Sequence, residues 1–384
     1  MIKHSLSLII LLLATLLALG ACGTEDEPSK KNSPQTDSTG QAKSEDMAAQ
    51  NAAEHYTKAF EMMKFSDEPS NPVAAPVKLI MLQGWDRHGT PELIKALEDD
   101  AECIAEFKKG LDLERCDFTF GKQQFLYRNG DSARTRKIWN LTCLNLVIAR
   151  LAEYEGRPLD AVEACLDEMK FMRHLAQGAP FSDKVTAMSL EERTLAALRN
   201  MLQKETLDEQ SRTELAAGLE SLEKNRFPNS AIFEGEREYY LFVIDEIARR
   251  IAEGGTPDPE KDDPTGPFCE KFKAEGRRIA DSYYGFVEQA YVSDNEDDWK
   301  LAADTIAPMR EGGREFRSKI RTTDDLLAHV RGEMETGGAG AAPAAARAIL
   351  GIYTSDARGM FKTYKKIADF IARVKQAALS GQWM

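Results

Sequence analysis

The chain has 384 residues, of which 42% are hydrophobic and 29% charged, with a formal net charge of −13. That composition fits a soluble globular body with a sizeable core and excludes a protein built of many membrane spans. The acidic balance disfavours nucleic acid and anionic lipid headgroups as partners of the folded body, because both need a dense Lys/Arg surface.

The first segment is an address. Lys3 and His4 form a short basic start, and residues 6–18, LSLIILLLATLLA, are almost wholly apolar. This run is too short for a comfortable spanning helix and fits the hydrophobic region of a signal peptide. Leu19-Gly20-Ala21-Cys22 follows. Small side chains before the cysteine let the backbone lie extended in a peptidase groove, and the Cys22 thiol is the one nucleophile there that can take a thioether-linked lipid. The pattern resembles the lipobox of bacterial lipoproteins. That resemblance implies cleavage before Cys22, acylation of the new terminus and attachment to a membrane of the cell envelope. Several acyl chains give a durable anchor where one gives only a marginal one. Gly23 in place of an aspartate leans the expected location toward the outer membrane rather than the inner one.

Residues 23–46 contain no large apolar side chain. They cannot bury enough surface to offset the entropy of ordering, so the expectation is a disordered tether spanning roughly 25–30 Å.

From residue 47 onward helical periodicity dominates. Residues 48–65 place Ala52, Tyr56, Ala59, Phe60 and Met63 at helical spacing. Shorter helices are expected among Pro72, Pro76 and Pro91, then a helix over 92–111 and a structured loop over 114–131. Residues 138–154 are apolar on most faces, as in a helix central to a bundle. Gly156 and Pro158 end that helix and start the next over 159–176, an αα-hairpin. Further helices are expected over 190–203, 206–225 and 232–252. The tract GGTPDPEKDDPTGP at 254–267 is the clearest internal break. Helices over 268–292, 299–320 and 324–334, a flexible Gly/Ala break at 337–346 and helical structure over 347–379 complete the chain.

No run alternates β-branched residues between turn signals, so the expected class is all-α, an irregular helical bundle or α-solenoid. The expected organisation is a signal peptide at 1–21, a lipidated tether at 22–46, a main helical domain at 47–253, a linker at 254–267 and a C-terminal helical region at 268–384. The hairpin at 138–176 partly resembles a tetratricopeptide-type unit through Ile148, Ala149, Gly156 and Ala161. Glu168 stands where that pattern wants a small residue, and no second copy follows at the period. The N-A-A-x-x-Y-x-x-A-F run at 51–60, Cys116-Asp117-Phe118 and the A-x-L-A-x-x-E-G run at 149–156 loosely resemble uncharacterised helical envelope proteins of bacteria. No activity comes with that resemblance.

Chemistry-bearing patterns are few. H-E-x-x-H, G-x-S-x-G and G-x-x-x-x-G-K-[ST] are all missing, and the five histidines share no metal-ligand spacing. Neither a metal nor a cofactor is expected. Beyond Cys22, the body holds Cys103, Cys116, Cys143, Cys165 and Cys269. An odd number cannot all pair within one chain, and none forms C-x-x-C. Ser221-Leu222-Glu223-Lys224 matches S-x-x-K without its companion motifs, and residues 294–298, DNEDD, lack the spacing of a calcium loop. The acidic candidates are Glu234, Glu236 and Glu238. Glu234 and Glu238 lie at i and i+4 and share a helix face, where two carboxylates could do acid/base work. Three classes of function follow. The favoured one is a membrane-anchored scaffold or binding protein with a protein partner in the envelope, the alternative is a carboxylate-dependent hydrolase acting on an envelope polymer, and the third is a binder of a soluble ligand in an apolar pocket between helices.

Overall fold

A computed structural model describes residues 51–383, apart from 87, 119–130, 178–180, 225–232, 255–264, 294, 321–322 and 354–356. The segments expected to be a signal peptide and a tether, and Cys22 between them, lie outside the described residues, as do Asn129-Gly130 and most of the 254–267 stretch expected as a linker. The described residues form fourteen α-helices and one short 3-10 turn, with no strand among them. The protein is all-α.

The first half of the body is built from eight helices. They are α1 (Ala52–Met62), α2 (Ala74–Gln83), α3 (Pro91–Asp99), α4 (Ala101–Leu111), α5 (Asp131–Tyr154), α6 (Pro158–Ala176), α7 (Phe181–Gln203) and α8 (Glu209–Lys224). Local chemistry sets their ends. Asn51 caps α1 by accepting from the Ala53 amide at 3.2 Å. Thr90 caps α3, where Pro91 takes the first helical position. Gly156, at φ +71°, closes α5 with two bonds, Gly156 N–H to Glu153 C=O at 3.2 Å and Arg157 N–H to Ala152 C=O at 2.8 Å. This is the 5→2 and 6→1 pair that satisfies the last carbonyls of a helix.

The α5–α6 hairpin anticipated from the sequence is the spine of this half. Leu141, Cys143, Leu144, Leu146, Val147 and Ala149 of α5 are all fully buried. Helices α2, α6 and α7 cover α5, α6 also packs on α8, and α1 packs on α4. Asp100, itself buried, accepts from the amides of Lys64 at 2.7 Å and Phe65 at 3.0 Å and so fixes the chain leaving α1. At the far end of α5, buried Arg150 donates to Glu153 at 2.7 Å, and Glu153 accepts from the Thr206 hydroxyl at 3.0 Å. That chain ties the hairpin to the α7–α8 turn.

The second half comprises α9 (Glu234–Gly254), α10 (Thr265–Val292), α11 (Glu296–Lys319), α12 (Thr323–Gly337) and α13 (Ala342–Tyr353). Helix α9 packs on α10, which packs on α13, and α13 packs on α11. The sequence break at 254–267 thus falls between two helices that lie against each other, and Thr265, Gly266 and Pro267 already belong to α10.

The Gly/Ala tract corrects an expectation. It is not a flexible break over 337–346: Gly338–Ala341 make a 3-10 turn, and helix α13 starts at Ala342. Ala342, Ala345 and Ala346 are buried, so small side chains serve close packing there rather than looseness. The acidic run before Trp299 also has a local role. Asn295 caps α11, and Glu296, Asp297 and Asp298 fill its first turn, where carboxylates meet the positive end of the helix dipole.

The last helix, α14 (Ala357–Ser380), returns to the first half and lies against α7 and α8. Helices α6, α7, α14 and α8 thereby close a four-membered ring of neighbours.

Candidate functional site

The acidic residues singled out by sequence open α9. Glu234 and Glu236 occupy its first turn, and Glu238 follows one turn later. The helix does place Glu234 and Glu238 on one face, but both are exposed. Only Glu236 is buried, at 8% exposure. An exposed carboxylate pair keeps its water and lacks the water-excluded setting of a buried acid/base couple. Arg237, between them, forms an ion pair with Asp281 of α10. The Tyr284 hydroxyl donates to the Glu236 carbonyl at 3.4 Å. The α9 start is therefore pinned to α10 on both sides.

The acids act electrostatically on a buried amine that sequence reading did not single out. Lys184, near the start of α7, is 6% exposed. Burial pulls its ammonium down from 10.5 to about 8, and the negative charge of Glu236, then Glu234 and Glu238, opposes that fall. A lysine from the first half and a buried glutamate from the second thus meet through the field of three carboxylates. The arrangement favours a charge-compensated junction over two carboxylates flanking a scissile bond, the geometry of glycoside hydrolysis. A signal for Lys184 existed in the sequence. It stands three and four residues before Ala187 and Met188, in register with the apolar face of α7.

The junction has a pH signature. Between pH 8 and 10.5 the unfolded chain holds a proton on Lys184 that the folded chain has released, so the unfolding free energy climbs with pH through that window. Lys184→Met will remove this climb, which amounts to about 2–3 kcal/mol. Urea denaturation at pH 7.5 and 10.5 measures it, and equal pH dependence in wild type and variant would contradict the assignment.

A second polar cluster lies inside the first half. Glu168 of α6 is fully buried and accepts from Thr142 Oγ1 at 2.7 Å and Asn145 Nδ2 at 3.3 Å. Desolvation raises its carboxyl to about 7 against the lowering effect of those two bonds. Next to it, burial raises Asp167 to about 6, opposed by Lys108. Nearly two turns further along α6, His174 Nδ1 meets the Tyr56 hydroxyl at 2.6 Å, both groups being buried. Desolvation and Lys170 hold the imidazole down at about 4, so it is neutral, and burial pushes the Tyr56 phenol up. Phe107 and Phe171 pack on the Tyr56 ring, with centroids 5.8 and 4.7 Å away. Glu168 with Thr142 and Asn145, and separately Tyr56 with His174, are hydrogen-bonded within the core, a pattern that specifies packing.

Other motifs resolve plainly. The five body cysteines are free and buried. Ser221 is exposed at the end of α8, and Glu223 of the same motif pairs with Lys375 at 3.3 Å. Among the described residues no group of three or more His, Cys, Asp or Glu could hold a metal ion. Comparison with known proteins found no matching family model, no matching curated protein and no matching solved structure.

Proposed function

We propose that the protein is a lipoprotein of the bacterial cell envelope, held to a membrane by lipid on Cys22, whose helical body acts as a scaffold or binding module for a protein partner. The observation that carries this reading is the order of segments. An apolar run of signal-peptide length leads into Leu19-Gly20-Ala21-Cys22, a tract without large apolar residues follows, and the described helical body begins with the helix at Ala52–Met62. No helix among the described residues is long and apolar enough to cross a membrane. Gly23 after the lipid-bearing position favours the outer membrane. The exposed positions of Glu234 and Glu238 weigh against the hydrolase alternative.

Cys22→Ala tests the anchor. The variant will accumulate as an uncleaved precursor of larger mass and take up no radiolabelled palmitate. A variant that is still processed to mature size and labelled with palmitate would overturn the reading.

A further inference from the structure

The two ends of α6 differ. At its C-terminal end the chain enters the described body. Asn51, which caps α1, donates to the Asp117 carbonyl at 2.7 Å and accepts from the Asp117 amide at 2.8 Å. Gln177, just past α6, accepts from the neighbouring Cys116 amide at 2.7 Å and donates to the Glu114 carbonyl at 2.9 Å. Helix α6 has 19 residues, so its other end lies about 28 Å away.

That other end is apolar on its surface. Leu379, Leu82 and Tyr154, at 70%, 62% and 57% exposure, are the most exposed large apolar side chains among the described residues. Leu79, also exposed, lies one turn before Leu82 on α2. The α7–α8 turn joins the helix ends that carry them. Thr206 donates to Glu153, the neighbour of Tyr154, at 3.0 Å. Lys204 donates to the carbonyl of Gln83, the neighbour of Leu82, at 3.5 Å. Arg212 donates to the Leu207 carbonyl at 2.9 Å, and a Cβ on Gly381, two residues after Leu379, would stand 3.6 Å from its Cζ. The rim is acidic. Residues 153–160, EYEGRPLD, and 204–212, KETLDEQSR, carry six acidic side chains against Arg157, Lys204 and Arg212. Arg157 is already paired with Glu155 and Asp160, so the outstanding charge is negative.

We propose that this end of the body is the docking surface for its protein partner, and that the partner presents an amphipathic segment of apolar and basic residues. The proposal rests on the scaffold reading above and adds the place and the chemistry of the contact. Apolar side chains exposed singly are ordinary, but several gathered at one end within a polar rim mark an interaction surface. The acidic rim selects a basic partner by charge complementarity. It opposes an anionic lipid surface and, in a chain of net charge −13, a second copy of the protein. Docking and the segment expected as a tether use opposite ends of α6, so neither obstructs the other.

Binding of two model peptides to the purified full chain tests this. Both peptides are helical and of equal length, one of leucine and lysine and the other of leucine and glutamate. The lysine peptide will bind, and the glutamate peptide will bind at least about tenfold more weakly. Leu82→Ser/Tyr154→Ser/Leu379→Ser will weaken the lysine peptide at least about tenfold while keeping the wild-type circular dichroism, because all three side chains are exposed. Val185→Ser/Leu301→Ser, at exposed apolar positions away from this end, will leave binding unchanged. Equal loss in both variants, no loss in the triple variant, or equal binding of the two peptides would overturn the proposal. So would a wild-type dimer in sedimentation, or binding to phosphatidylglycerol vesicles, that the triple variant abolishes, since either gives this end a different occupant. No membrane anchor enters the peptide measurement, so it stands apart from palmitate labelling. A labelled chain that binds neither peptide removes the docking surface alone, and an unlabelled chain that binds the lysine peptide removes the anchor alone.

Discussion

Gly313→Ala will destabilise the protein by about 3 kcal/mol, the upper end of what overpacking a core produces. Gly313 lies in α11 where that helix crosses α13, and a Cβ added there would overlap the carbonyl carbon and oxygen of Gly351 and come 2.6 Å from its Cα. All three are backbone atoms, so no rotamer change can relieve the clash and the two helices must separate. Separation would strip cover from Ala345, Ala346, Ile349 and Leu350 of α13, all of which are buried. Helix propensity pulls the other way, since alanine is better than glycine in a helix by about 1 kcal/mol. Gly332 of α12 isolates that opposing effect, because a Cβ there meets nothing within 4 Å. Gly332→Ala is expected to stabilise by up to about 1 kcal/mol. Chemical denaturation of both variants separates the two effects, and a Gly313→Ala chain as stable as Gly332→Ala would refute the close approach of α11 and α13.

The second large effect concerns the buried carboxyl of Glu168. Its pKa is about 7 in the fold, against an ordinary value of 4.5. Between those values the folded chain keeps a proton that the unfolded chain has lost, so the unfolding free energy falls as pH rises from 4.5 to 7. The stability present below pH 4.5 is lost through that window, an effect on the order of 2–3 kcal/mol. Glu168→Gln removes the charge and keeps a carbonyl oxygen for the Thr142 hydroxyl. The variant should match wild type near pH 5 and exceed it near pH 8. Asp167 acts with the same sign and His174, lowered to about 4, with the opposite sign. Both are present in each protein, so the difference between the two denaturation curves isolates Glu168. A difference that does not change between pH 5 and 8 would show that Glu168 is not held protonated.

Glu168 also illustrates how much of the site was legible. Its place in the α6 stripe, in register with Ala161, Ala164, Cys165, Met169 and Met172, marks it as inward-facing. The departure from the tetratricopeptide pattern was visible at that position. Its reason was not, because Thr142 and Asn145 lie on the preceding helix, and only the packed hairpin brings their donors to the carboxylate. The same holds for the acidic start of α9. Spacing alone put Glu234 and Glu238 on one face, but which of the three acids is buried, and that it acts on Lys184 about fifty residues upstream, depends on how α7 and α9 approach each other.

The sequence by itself determined the class of the body and the turn of its central hairpin. Periodic apolar residues, Gly156 and Pro158 act over one or two turns, and such local preferences are written in neighbouring residues. It also supplied the Leu19-Gly20-Ala21-Cys22 motif on which the proposed anchor rests. Only the tertiary structure decided that the Gly/Ala tract is a 3-10 turn running into a packed helix, that α14 turns back to α7 and α8, and that the acids of one half act on a buried lysine of the other. Each of these depends on contacts between segments far apart in the chain. Such contacts follow from the shapes of whole faces rather than from any local pattern, since a small-residue tract reads the same whether it bends in solvent or lets two backbones touch.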